Sequence, residues 1–251
     1  MQHRTRIAAL GSALAVAAAG FAAPAAFAAP AAPGITIDKV TVNGGKPVVL
    51  GTTAAKTFTV TVTATTGSPI TEGDLDLVGP DAANSGANGS TCTTEGTKAT
   101  CTEKFTIDPD TDFFSNKPAA SWYVNATLFA EEDSDFFEKA GSFKVQRAAK
   151  LTVDATPEPI KKGKTLTIKG ALTRANWETQ KYSGYSGQPV KLEYKKKGAT
   201  AYSVVKTVKT DTKGNLKTTV KASADGDYRW NFAGNTTTGA VAATSDYVDV
   251  R

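Results

Sequence analysis

Histidine is almost missing from this chain: the only one is His3. It falls in a leader expected to be removed on export, so the mature chain is expected to carry none. Without imidazole, Ser–His and Cys–His nucleophile systems and His-ligated zinc or copper sites are excluded. No G-x-S-x-G elbow occurs, since Gly184-Tyr185-Ser186-Gly187 is one residue short. Neither Gly-rich phosphate-loop pattern is present. No stretch beyond the leader is apolar enough to span a bilayer, and none repeats with the period of an amphipathic helix. Cysteine is scarce as well, at two residues.

The leader reads as a secretory signal. Arg4 and Arg6 precede an apolar run from Ile7 to Phe27, and Ala26-Phe27-Ala28 offers small residues where a signal peptidase reads. Cleavage is expected before Ala29, giving a signal peptide over residues 1–28. No Arg-Arg pair directs the chain elsewhere, and no cysteine follows the run to take a lipid. The expected location is secreted or extracellular, with association to the cell wall or cell surface.

Strand patterning dominates the remainder. From Thr57 to Thr65, Phe58, Val60, Val62 and Ala64 share one face and threonines the other. Trp122, Val124, Ala126 and Leu128 form a second such face, and Leu216, Thr218, Val220 and Ala222 alternate with Lys217, Thr219 and Lys221. Thr41-Val42, a Gly turn and Lys56-Thr57-Phe58-Thr59-Val60 are echoed by Thr152-Val153, a Pro/Gly turn and Lys164-Thr165-Leu166-Thr167-Ile168. Two similar domains are expected, 29–147 and 148–251, meeting near Arg147-Ala148-Ala149. Asp225-Gly226-Asp227-Tyr228-Arg229-Trp230 fits the late strand of an immunoglobulin-like sandwich, with Tyr228 bonding back to the preceding loop and Trp230 in the core. The expected fold is therefore all-β: two tandem immunoglobulin-like β-sandwich domains after a cleaved signal peptide.

Charge divides at the same place. Residues 29–147 hold nine Lys+Arg and fifteen Asp+Glu, a net −6, whereas residues 148–251 hold eighteen and nine, a net +9. The basic half suits an anionic cell-wall polymer or a solvated lysine-rich sheet. Lysine far exceeds arginine there, which does not favour nucleic acid. Lys195, Lys196 and Lys197 read as the tip of a hairpin joining Val190–Tyr194 to Tyr202–Val208. Trp177, Tyr182 and Tyr185, among polar and glycine residues, are candidates to stack on sugars or on another surface protein, or else to cap the end of the sandwich.

Cys92 and Cys101 flank the turn Thr94-Glu95-Gly96-Thr97, and in an oxidising compartment a disulfide across that hairpin is expected. Two acidic clusters, Asp108-Pro109-Asp110-Thr111-Asp112-Phe113-Phe114 and Glu132-Asp133-Ser134-Asp135-Phe136-Phe137, supply the oxygen ligands calcium prefers. The first fails as an EF-hand, having Phe113 at its sixth position and Ala119 at its twelfth. A calcium site would need Asp108, Asp110, Asp112, Glu132, Asp133 and Asp135 to meet at one end of the domain; otherwise these are solvated turns whose phenylalanines cover the core. Paired carboxylates also raise a carboxylate-dependent glycoside hydrolase, but nothing beyond the presence of Asp and Glu points to one, and no catalytic residue is expected.

Several segments resemble a family. Val42-Asn43-Gly44-Gly45-Lys46, Val145-Gln146-Arg147-Ala148-Ala149-Lys150-Leu151, Leu172-Thr173-Arg174-Ala175-Asn176-Trp177, Gln188-Pro189-Val190-Lys191-Leu192 and the ending Asp246-Tyr247-Val248-Asp249-Val250 look like secreted actinomycete two-domain proteins of unknown function, sometimes loosely labelled calcium-binding. The resemblance covers nearly the whole mature chain and brings no catalytic residues. It implies export and paired immunoglobulin-like sandwiches. The expectation is thus a secreted, non-catalytic binding or structural protein, with an extracellular calcium-binding module as the alternative.

Overall fold

A computed structural model describes residues 34–80, 84–85, 89–131 and 133–251. The expected signal peptide and Glu132 lie outside the described residues.

Alternation becomes sheet faces. Among the described residues nine strands build the first sandwich: β1 (Thr36–Val42), β2 (Val48–Leu50), β3 (Lys56–Thr65), β4 (Ile70–Val78), β5 (Asn84–Ser85), β6 (Thr91–Glu95), β7 (Lys98–Ile107), β8 (Ser121–Ala130) and β9 (Ser134–Arg147). One sheet runs β1-β3-β7-β6 and the other β2-β9-β8-β4-β5. β1 pairs antiparallel with β3, and after the tight turn at Asn43–Gly45 the chain crosses to pair β2 parallel with β9. The turn after Thr41-Val42 thus moves the first edge of the chain from one sheet to the other. Phe58, Val60, Val62 and Ala64 of β3 and Trp122, Val124, Ala126 and Leu128 of β8 all point into the space between the sheets and are buried.

The second sandwich continues with β10 (Ala149–Leu151), β11 (Asp154–Thr156), β12 (Thr165–Asn176), β13 (Lys181–Gly184), β14 (Pro189–Lys196), β15 (Ser203–Lys209), β16 (Asn215–Lys221), β17 (Gly226–Phe232), β18 (Val241–Ala242) and β19 (Asp246–Val248). β12 is its spine, pairing with β10, β11, β13 and β16. The facing sheet runs β15-β14-β17, with β18 and β19 both on β17. The repeat recurs in space: β11 pairs antiparallel with β12, then Ile160 bridges Val250 in parallel.

Trp230 is fully buried and its Nε1 donates to the Lys169 carbonyl at 2.9 Å. Gly170 makes room for it, because a Cβ there would meet the indole at 2.7 Å and the Thr152 carbonyl at 2.4 Å. Tyr194, not Tyr228, supplies the hydroxyl that ties down the preceding loop, donating toward Ala224 O and Asp225 O, each at 2.9 Å. Tyr228 stands directly opposite on β17, buried, with its ring 4.7 Å from that of Tyr194. The two tyrosines occupy one paired position, and the register rather than the sequence motif decides which reaches the loop.

Candidate functional site

The features that could carry function gather at three places: the joint between the sandwiches, the far end of the second sandwich, and the outer sheet faces. The joint is built by a hairpin. β12 runs past the second sandwich and turns back as β13, with Asn176 paired to Lys181, so that Trp177 stands at the tip. Trp177 is 1% exposed and belongs to the apolar cluster of the first sandwich. Its ring lies 4.7 Å from Phe113, which lies 6.0 Å from Trp122, itself 6.0 Å from Phe143. Its Nε1 donates to Gly51 O at 2.7 Å. One indole thereby joins the two bodies through an apolar contact and a satisfied hydrogen bond.

Polar groups complete the joint. Asn116 Oδ1 accepts from the Trp177 amide at 3.0 Å and from Arg147 Nη1, while its Nδ2 donates to Asn176 Oδ1 at 2.9 Å. Gln180 at the hairpin tip donates to Asp110. The Arg147-Ala148-Ala149 segment is bonded on both sides: Ala148 N to Leu50 O at 2.7 Å, Ala175 N to Ala148 O at 2.8 Å, and Gly239 N to Arg147 O at 3.0 Å. Burial and the neighbouring Arg174 pull the Arg147 guanidinium down to about 10. Arg174 is also lowered by burial, and its guanidinium covers the Tyr185 ring at 3.9 Å.

These contacts decide the fate of the aromatic candidates. Trp177 is core. Tyr182 lies beneath Lys150, whose Nζ is 3.9 Å from the ring centroid. Tyr185 is buried beneath Arg174 and its hydroxyl accepts from Asn235 at 2.7 Å. Trp177 and Tyr185 are thus buried, and the partly buried Tyr182 carries Lys150 on one face. Burial of the Trp177 and Tyr185 rings is favourable because large apolar rings gain free energy on leaving water.

The acidic candidates are kept apart. Asp108, Asp110 and Asp112 lie in the loop entering β8, whereas Asp133 and Asp135 lie at or just beyond the turn leaving it; Glu132 lies outside the described residues. β8 has ten residues, so the clusters are separated by about 30 Å at about 3.3 Å per residue. One calcium ion cannot be ligated by both. Asp112 accepts from the Asp108 amide at 2.8 Å and Asp108 from the Asp110 amide at 3.0 Å, so these carboxylates hold their own loop. Among the described residues no group of three metal-ligating side chains occurs. The phenylalanine pairs split: Phe113 is core and Phe114 is 89% exposed, while Phe136 is 61% exposed beside a partly buried Phe137.

The lysine tip is largely neutralised. Lys195 pairs with Asp227 at 3.2 Å and Lys197 with Asp225 at 3.2 Å; among the described residues Lys196 alone of the three makes no ion pair. Asp225 is held below the usual carboxylate range by the Val250 amide and by Lys197, and Lys197 is raised in turn by its bond to Asp225. Lys196, Lys197 and Asp225 line, with Lys162 and Arg251, a shallow depression of about 370 Å³.

The cysteines form the expected bridge. Cys92 on β6 and Cys101 on β7 are direct cross-strand partners and are disulfide-bonded.

A feature missed by motif reading lies on the outer face of the β11-β12-β16 sheet. There Lys169 on β12 and Lys217 on β16 stand directly opposite one another, with Lys221 two pairs along. The sequence signal is the alternation of Lys217, Thr219 and Lys221; the like-charge pairing needs the register.

No protein-family model matches the chain, and no curated protein matches it. Among solved structures it is similar to latent PorU from Porphyromonas gingivalis, at 13% identity over 88% of this chain and 20% of that one, with a TM-score of 0.31. It thus spans about a fifth of that chain. It is also similar to fibronectin(III)-like modules of Clostridium thermocellum CbhA (12% identity, 84% and 93% covered, TM-score 0.40) and to the Yersinia pseudotuberculosis adhesin InvE (12%, 85% and 58%, 0.27). The strand order itself defines the class: an all-β protein of immunoglobulin-like sandwich type.

Proposed function

We propose that this chain is a secreted, non-catalytic binding and structural protein that adheres to anionic cell-wall material through its second sandwich. One observation carries the reading: a body of net −6 and a body of net +9 share an apolar cluster through Trp177. A shared core holds the basic body in a fixed orientation, so its charge is offered from one side and one end instead of swinging on a linker. The disulfide suits an oxidising exterior. Among the described residues no helix is long and apolar enough to cross a membrane. Exposed charges attract over about 8 Å at physiological salt, which makes such adhesion salt-sensitive. The test is co-sedimentation of the full mature chain with purified cell walls at low and high salt, together with its partition between wall and medium in culture. Retention at low salt that disappears at high salt is expected. Retention indifferent to salt, or no retention at all, rejects the reading.

A further inference from the structure

The second sandwich carries two basic surfaces, and they differ in how their charge is used. At the far end, Lys195 and Lys197 are each held by a carboxylate. On the outer face of the β11-β12-β16 sheet, Lys169 and Lys217 are direct cross-strand partners, and among the described residues neither makes an ion pair. Like charges placed directly opposite in an antiparallel pair destabilise a sheet. Lys221 donates to Thr165 Oγ1 at 2.9 Å and so lies along the face instead of turning off it. Thr167 and Thr219, paired between these lysines, add hydroxyl donors. Lys150 extends the row, paired with Thr173 on the same face of β12. From Thr165 to Thr173 this face runs about 27 Å at about 3.3 Å per residue. Asp154 stands in register with Lys169 but is not bonded to it, and lies within electrostatic reach of Glu158.

We infer that this lysine–threonine track is the site that binds the polymer, and that its occupant is a linear polyphosphodiester lacking bases. The inference rests on the reading under Proposed function. Ammonium groups and hydroxyls spaced along a strand match phosphate oxygens spaced along a chain, and a polymer laid across Lys169 and Lys217 would relieve their repulsion. Among the described residues the track holds no arginine, and the one ring beside it, that of the partly buried Tyr182, has Lys150 over it. Single-stranded nucleic acid would want aromatic platforms for its bases, so a backbone without bases is the better match.

The experiment titrates synthetic poly(glycerol phosphate) into the full mature chain, into a Lys169→Gln/Lys217→Gln/Lys221→Gln variant and into a Lys196→Gln/Lys197→Gln variant, over a range of salt. The track variant is expected to bind about tenfold more weakly at low salt, with the slope of log affinity against log salt shallower by about 2, at about 0.7 for each phosphate that is no longer neutralised. The tip variant is expected to stay near wild type. The track variant should melt at or above the wild-type temperature; if it does not fold, Lys217→Gln alone replaces it, with a slope shallower by about 0.7. Equal affinity and slope in wild type and track variant would overturn the track while leaving the adhesion reading intact. A wild-type chain that binds neither the polymer nor walls would overturn both. Tighter binding of single-stranded DNA than of the polymer would overturn the choice of occupant.

Discussion

The two sandwiches share a core strand plan, and one of the connections in which they differ joins the molecule. In the first, β3 passes to β4 through four residues, Thr66–Pro69. In the second, the corresponding step from β12 to β14 spans residues 177–188 and folds as a hairpin with β13. That extension is what joins the molecule: it carries Trp177 into the first sandwich's core and Gln180 to Asp110. The first sandwich answers with the acidic loop, whose Phe113 packs against Trp177. A segment that looks like a ligand loop in one sandwich and a segment that looks like a metal loop in the other are thus the two halves of a joint. Aromatic and acidic residues between strands are as well suited to fixing a neighbour as to binding a ligand, and only their partners tell which.

Breaking the joint should have the largest effect. Trp177→Ala removes a fully buried indole, and truncations of that kind cost about 3–5 kcal/mol. Calorimetry should show one unfolding transition in the wild type and two in the variant. A variant that still unfolds in one transition would mean that the sandwiches are coupled by other contacts. The disulfide comes next and tests the first sandwich alone. Replacing Cys92 and Cys101 by Ser should destabilise by about 2.5 kcal/mol, lowering the transition of the acidic body and, in the Trp177→Ala background, leaving that of the basic body in place. Asn116→Ala should follow, at about 1–3 kcal/mol, because it leaves the buried Arg147 guanidinium and the Trp177 amide without their acceptor.

A smaller effect separates the two basic surfaces. Asp225→Asn should free Lys197 and slightly strengthen polymer binding at the far end, with a small drop in melting temperature. The same pairing can be weakened by acid. Asp225 is held below its ordinary 3.8, so its contribution is complete above that pH and is lost as pH falls through the lower folded-state value. The salt dependence of polymer binding should accordingly steepen in acid more for wild type than for Asp225→Asn. The smallest expected effect is that of calcium. With the acidic clusters at opposite ends of β8, millimolar calcium should leave the melting temperature unchanged; a clear rise, abolished by Asp110→Ala or Asp133→Ala, would restore one cluster as a site.

Much of the architecture is legible in the order of residues. Thr57–Thr65 and Trp122–Leu128 read as half-buried strands, the repeated strand–turn–strand pattern points to two similar sandwiches, and the hairpin around Glu95-Gly96 sets Cys92 opposite Cys101. The candidate sites are less legible. Trp177, Tyr182 and Tyr185 carry no mark in the sequence distinguishing a cap from a binding loop, and the motif points to Tyr228 for the loop-tying hydroxyl that Tyr194 supplies.

The all-β character, the division into acidic and basic halves and the disulfide follow from neighbours in the chain: the side-chain period of two, the composition of a segment, the length of a turn. Packing across the whole molecule is what puts Trp177 in the other sandwich's core, sets Asp225 and Asp227 against two of the three tip lysines, holds the acidic clusters a full strand apart and turns Lys169 toward Lys217 across a ladder. Each of those depends on strand register and on which ends of two bodies meet, and both are set by the burial of apolar faces summed over residues far apart in the chain.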